Sequence, residues 1–135
     1  MDSIKINDAL RELGVTEYAI IGSVNNESDF NNNFKKITAT DKDGNGTFSS
    51  DPKDWGVTWK QLKTKYDVLV KDEPLKLLRE QRNAILAETD WVVIKEREEG
   101  GSVSNFADWK TYRQALRDIT KDYTSLDDVV WPEKP

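Results

Sequence analysis

The stretch Asp41-Lys42-Asp43-Gly44-Asn45-Gly46-Thr47-Phe48-Ser49 has the clearest spacing for chemistry in the chain. Oxygen-bearing side chains stand at its first, third and fifth positions, a glycine at the sixth and an apolar residue at the eighth, as in an EF-hand calcium loop. Asp41, Asp43, Asn45 and Thr47 are therefore the candidate ligands of a weak calcium site. The twelfth position, where that loop needs a bidentate glutamate, is Pro52, with Asp51 and Asp54 out of register on either side. Proline carries no side-chain oxygen and disturbs an outgoing helix. The alternative reading is plainer, because Asp, Asn and Gly also make tight surface turns.

Other chemistry is sharply limited. With no Cys and no His, the chain lacks disulfides, thiol nucleophiles, imidazole acid/base groups and the usual zinc ligands. No glycine-rich phosphate cradle is present, since Gly44 and Gly46 precede no Gly-Lys-Ser/Thr. The 25 Asp and Glu make close pairs common by chance and single out no catalytic pair. These features predict a protein that is not an enzyme.

Five tryptophans and four tyrosines are many for this length, and such rings serve both cores and interfaces. Helical spacing assigns Trp91, Trp109 and Tyr112 to packing. Trp131, beside Pro132 near the end of the chain, is the better interface candidate, able to tuck back or to dock on a partner.

The elements that must position these residues follow from pattern. Ile6, Ala9, Leu10 and Leu13 before Gly14 predict a short helix over 4–13. Tyr18-Ala19-Ile20-Ile21 reads as a strand. Phe30, Phe34 and Ile37 predict a helix over 26–37. Residues 38–56 read as a long polar loop, and Val57-Thr58-Trp59 as a candidate further strand. Leu62, Tyr66 and Leu69 open a helical face that Pro74 interrupts, and a helix follows over 75–88. Trp91 is expected to be buried at its exit, and 95–102 to form a charged, flexible connector. The last helix, 104–119, is capped by Asn105 with Asp108; it turns Phe106, Trp109, Tyr112, Leu116 and Ile119 inward and Lys110, Arg113, Arg117 and Asp118 outward.

The predicted fold is α+β, mainly α. An N-terminal region (1–74) holds a short two- or three-stranded sheet and helices, and a C-terminal module (75–135) forms a helical hairpin. The 135 residues, 36% hydrophobic and 33% charged, suit a soluble globular chain. A net charge of −5 with interspersed cations argues against nucleic acid and against an anionic membrane surface. No signal peptide or span of ~20 apolar residues is visible, so the protein is expected in the cytosol unless a particle carries it out.

Three blocks carry a resemblance: Leu78-Arg79-Glu80-Gln81-Arg82-Asn83-Ala84-Ile85-Leu86-Ala87-Glu88-Thr89-Asp90-Trp91, Trp109-Lys110-Thr111-Tyr112-Arg113-Gln114-Ala115-Leu116-Arg117-Asp118-Ile119 and Val130-Trp131-Pro132-Glu133-Lys134-Pro135. In that order, over about the last 60 residues, they resemble the C-terminal module of phage tail assembly chaperones and tail-fibre assembly proteins. The segment 92–103 is longer and more charged than the short link of that family. Glu17-Tyr18, Phe30, Ser49-Ser50-Asp51-Pro52 and Gly56-Val57-Thr58-Trp59 are similar to marine tailed-phage proteins that join the same module and have no assigned activity.

The resemblance implies a non-catalytic protein that helps a tail fibre or other tail protein assemble in the host cytoplasm, and that in some cases stays on the virion tail. In that reading Trp91 closes a hairpin of helices 75–88 and 104–119. Arg79, Arg82, Arg113 and Arg117 rim it, and Val130-Trp131-Pro132 covers it or a partner. Trp109, Tyr112, Arg113, Arg117, Trp131 and Pro132 are the candidate partner-binding residues. Two other readings remain: a purely structural tail, baseplate or fibre component, and a calcium-dependent binding module.

Overall fold

In the computed structural model, which describes residues 1–135, the chain opens with the Asp2 carboxylate accepting from the Ile4 and Lys5 amides at 2.8 and 3.2 Å. That cap starts helix α1, Ser3–Glu12, which buries Ile6, Ala9 and Leu10. Gly14, at φ +75°, then turns the chain back in a conformation that favours glycine.

Three strands follow, β1 (Tyr18–Ile20), β2 (Phe34–Thr40) and β3 (Gly46–Ser49), in an antiparallel sheet of order β1-β2-β3. Helix α2, Glu27–Asn33, connects the first two and is capped by the Asn26 side chain on the Asp29 amide. The helix expected to run to Ile37 thus ends at Asn33. Asn31, Asn32 and Asn33 are weak helix formers, and Phe34 to Thr40 satisfies its backbone groups across the sheet, with Ile20 opposite Phe34 and Tyr18 opposite Lys36.

Residues 38–56, expected as one loop, hold the end of β2, all of β3 and a 3-10 turn at Pro52–Asp54. The β2–β3 hairpin pairs Ile37 with Phe48 and Thr40 with Gly46, with an irregularity between Ile37 and Ala39. Nor do residues 57–59 form a strand. Thr58 and Gln61 make a reciprocal cap, the Thr58 amide donating to Gln61 Oε1 at 2.9 Å and the Gln61 amide to Thr58 Oγ1 at 3.2 Å.

From that cap helix α3 runs without a break over Trp59–Glu88, with Pro74 inside it. Two separate helices were expected here. Proline removes one helical hydrogen bond and crowds the carbonyl four residues back, at a cost of ~3 kcal/mol. Pro74 and Val70 are both exposed, so water can satisfy that carbonyl and the apolar residues on either side carry the helix through.

Helix α4, Asp90–Glu99, takes the place of most of the expected connector, and only 100–105 separates it from α5, Phe106–Asp122. The Glu96 carboxylate accepts from the Gly101 and Val103 amides at 3.1 Å each, folding the turn onto the end of α4. At the start of α4 it is Val92 that is buried, while Trp91 is 53% exposed.

Helix accounts for 57% of the residues, so the chain is mainly α with a small sheet. It divides into two compact units, Met1–Lys71 and Asp72–Pro135. The core of the first gathers α1, α2 and the sheet around Phe30, Phe34 and Trp55. In the second, Val92, Trp109, Tyr112 and Leu116 pack together, with Trp131 against them.

Candidate protein interaction surface

Helix α5 positions most of the candidate residues. Its inward stripe buries Trp109, Tyr112, Leu116 and Ile119. The Trp109 indole donates to Asn105 Oδ1 at 3.1 Å, so Asn105 holds this ring instead of capping the helix with its side chain. Trp109 meets Tyr112 and Trp91 edge to face, each with ring centroids 6.0 Å apart. Burial raises the Tyr112 hydroxyl above its ordinary pKa, and the Glu88 carboxylate adds to the effect.

The closing strip lies on the same helix. Trp131 packs against the Trp109 cluster, and Lys134 Nζ sits 5.9 Å from the Trp109 ring centroid. Pro132 and Tyr112 line one shallow groove together with Asn105 and Asp108. Of the two fates open to Trp131, this chain adopts the one in which it tucks back. Trp109, Tyr112, Trp131 and Pro132 are thus brought together, and the two arginines are not part of that group.

Arg113 is placed differently from the expectation. It was assigned to the solvated face, but its side chain is only 9% exposed. Its Nη1 donates to the Leu86 carbonyl at 2.8 Å and to Thr89 Oγ1 at 2.6 Å, and its Nη2 pairs with Asp90 Oδ1 at 2.7 Å. The guanidinium therefore ties the end of α3 and the start of α4 to α5. Arg113 stands four residues after Trp109 and three before Leu116, so its spacing belongs to the inward stripe. That was the overlooked signal. Thr89, buried and donating to the Leu86 carbonyl at 3.0 Å, is the other structural residue missed.

Arg117 remains exposed. It lines a groove of about 470 Å³ between α4 and α5 with Val93, Phe106, Lys110, Arg113 and Gln114. Arg79 and Arg82 do not line it. Outside the lining α4 also exposes Trp91 and Ile94 to solvent. The basic rim thus forms around α5 alone, with an apolar edge supplied by α4.

Three of the candidate calcium ligands, Asp41, Asp43 and Asn45, lie in the hairpin turn between β2 and β3. Asp41 Oδ1 accepts from the Asp43 and Asn45 amides at 2.9 Å each, and Asp41 Oδ2 from Asn45 Nδ2 at 3.2 Å. These bonds, the Asn45 amide foremost, hold the Asp41 carboxyl below its ordinary pKa. Thr47 is in β3, opposite Ala39. No group of three or more Asp, Glu, His or Cys is placed to hold a metal ion. No helix is long and apolar enough to cross a membrane.

Compared with known proteins, residues 75–135 match the family model described as phage tail assembly chaperone protein. The matched segment contains the end of α3, all of α4 and α5 and the Trp131-Pro132 strip, and it leaves residues 1–74 outside. No curated protein and no solved structure matches the chain. The match supports a role in phage tail assembly.

Proposed function

We propose, from the match of residues 75–135 to the phage tail assembly chaperone family model, that this protein is a non-catalytic assembly factor that assists a tail fibre or another tail protein in the host cytoplasm. The family match carries this reading. The surface chemistry of the segment agrees with it: exposed Val93 beside exposed Lys110 and Arg117, with Trp91 and Ile94 also exposed on α4, offers a partner apolar anchors and a basic rim. Residues 75–135 act as the assembly module in this proposal.

The partner-binding residues are revised accordingly. Arg117 stays among them, while Trp109, Tyr112 and Arg113 build the surface from within; Trp131 and Pro132 hold the end of the chain against α5. Co-expression with a tail-fibre protein of the same genome tests the proposal. Soluble, correctly assembled fibre should increase several-fold when this chain is present, and an unchanged yield contradicts the assembly role. Mass spectrometry of purified particles reads whether the chain then leaves or remains on the tail.

A further inference from the structure

The groove between α4 and α5 combines one charge sign with an apolar wall in a chain that is net negative. Val93 and Phe106 supply the wall, and Lys110, Arg113 and Arg117 the charge, with Gln114 between them and no acidic side chain in the lining. Arg113 is neutralised by Asp90 at 2.7 Å. Lys110 and Arg117 are exposed and in no salt bridge: Lys110 Nζ lies 5.5 Å from the Phe106 ring centroid, and Arg117 Nη1 donates to Gln114 Oε1 at 3.4 Å, with the Asp118 carboxylate within its electrostatic reach. A further mark of a basic site is Arg113 Nε, which is buried without a hydrogen-bond partner.

We propose that this groove binds an acidic, extended peptide segment of the tail protein, whose carboxylates pair with Lys110 and Arg117 while an apolar side chain rests on Val93 and Phe106. The inference rests on the assembly reading and names the chemistry of the partner. Charge complementarity selects the occupant. Lys110 and Arg117 are seven residues apart on α5, ~10 Å along the axis, and an extended chain covers that distance in about three residues. The planar guanidinium of Arg117 suits a carboxylate in two-point contact. Nucleic acid is disfavoured, because two unpaired cations on an acidic protein displace few counterions.

The test uses the full chain and a short fluorescein-labelled peptide of alternating glutamate and leucine, with its glutamine counterpart as control, followed by fluorescence anisotropy. The glutamate peptide should bind, weaken as salt rises, and exceed the glutamine peptide. The double variant Lys110→Glu with Arg117→Glu changes two exposed residues and should bind about ten-fold more weakly. Reversing two exposed lysines of the first unit, Lys42→Glu with Lys53→Glu, makes the same change in net charge and should leave binding as it was. Equal losses in the two double variants overturn the proposal, as does the absence of binding to the wild-type chain. Tighter binding of a single-stranded oligonucleotide through the same two residues also overturns it, in favour of a nucleic-acid ligand. If fibre solubility still rises on co-expression while the peptide fails to bind, the groove falls and the assembly role stands; if both fail, both fall.

Discussion

At the centre of the first unit Phe30, Phe34 and Trp55 meet ring to ring, with centroids 5.0 to 5.3 Å apart. At the centre of the second, the residue that joins three helices is an arginine whose cation holds a carbonyl, a hydroxyl and a carboxylate. The buried polar and charged residues of the chain, Thr89 and Arg113, both belong to this second unit. Aromatic packing is tolerant of direction and strong per residue. A guanidinium hub gains less net free energy but fixes geometry, because each of its bonds has a required angle. The difference explains why the matched segment can be small and still hold α4 in one orientation, with its apolar face outward.

Breaking the aromatic side of this comparison should have the largest effect. Trp55→Ala removes a fully buried ring and its indole bond to the Ser49 carbonyl, and should destabilise the first unit by about 3–5 kcal/mol. Amide exchange across residues 1–71 reads this as lost protection.

The arginine hub comes next. Arg113→Ala removes the three hydrogen bonds that join α5 to the corner between α3 and α4 and should cost about 2–3 kcal/mol in thermal or urea unfolding. Arg113→Met keeps the packing and removes the unpartnered Nε, so it should cost less. A methionine variant as unstable as the alanine one would show that the hydrogen bonds, rather than the stem of the side chain, dominate.

A smaller effect belongs to the start of α3. Thr58→Ala removes one arm of the cap with Gln61 and should lower stability by about 1 kcal/mol. The midpoint in urea should move with no change in slope.

The smallest change is expected at the hairpin turn. Asp41 has its pKa lowered from 3.8 by the bonds it accepts, so its contribution to stability is present above that value and is lost as pH falls through the lower folded-state value. Asp41→Ala should flatten the acid side of the stability curve slightly. Because the turn already uses both Asp41 oxygens, millimolar calcium should leave the Tm of the wild-type chain unchanged, and an upward shift would support the calcium reading.

How far these features could be read beforehand depended on the range of the interactions behind them. The stripe on α5 and the first helix were legible because apolar residues recur at the helical period, Trp109, Tyr112, Leu116 and Ile119 in one case and Ile6, Ala9 and Leu10 in the other. The end of α2 was not, because Phe34 and Ile37 fit a helix by spacing and belong to a strand only through partners in β1 and β3. Pro74 misled in the opposite sense: its local cost is real, and the helix continues on either side regardless. Arg113 was misplaced through its charge, although its position on α5 was inward. The groove of Val93, Phe106, Lys110 and Arg117 is not visible in the sequence, since the charged residues from 95 to 102 read as a connector and not as the end of α4.

The proposed role in tail assembly is tested most directly by deleting the gene for this chain from its own genome and following the tails that form. Electron microscopy of the progeny should show particles with missing or incomplete tail structures, restored when the protein is supplied from a plasmid. Progeny with normal tails and normal infectivity would contradict it.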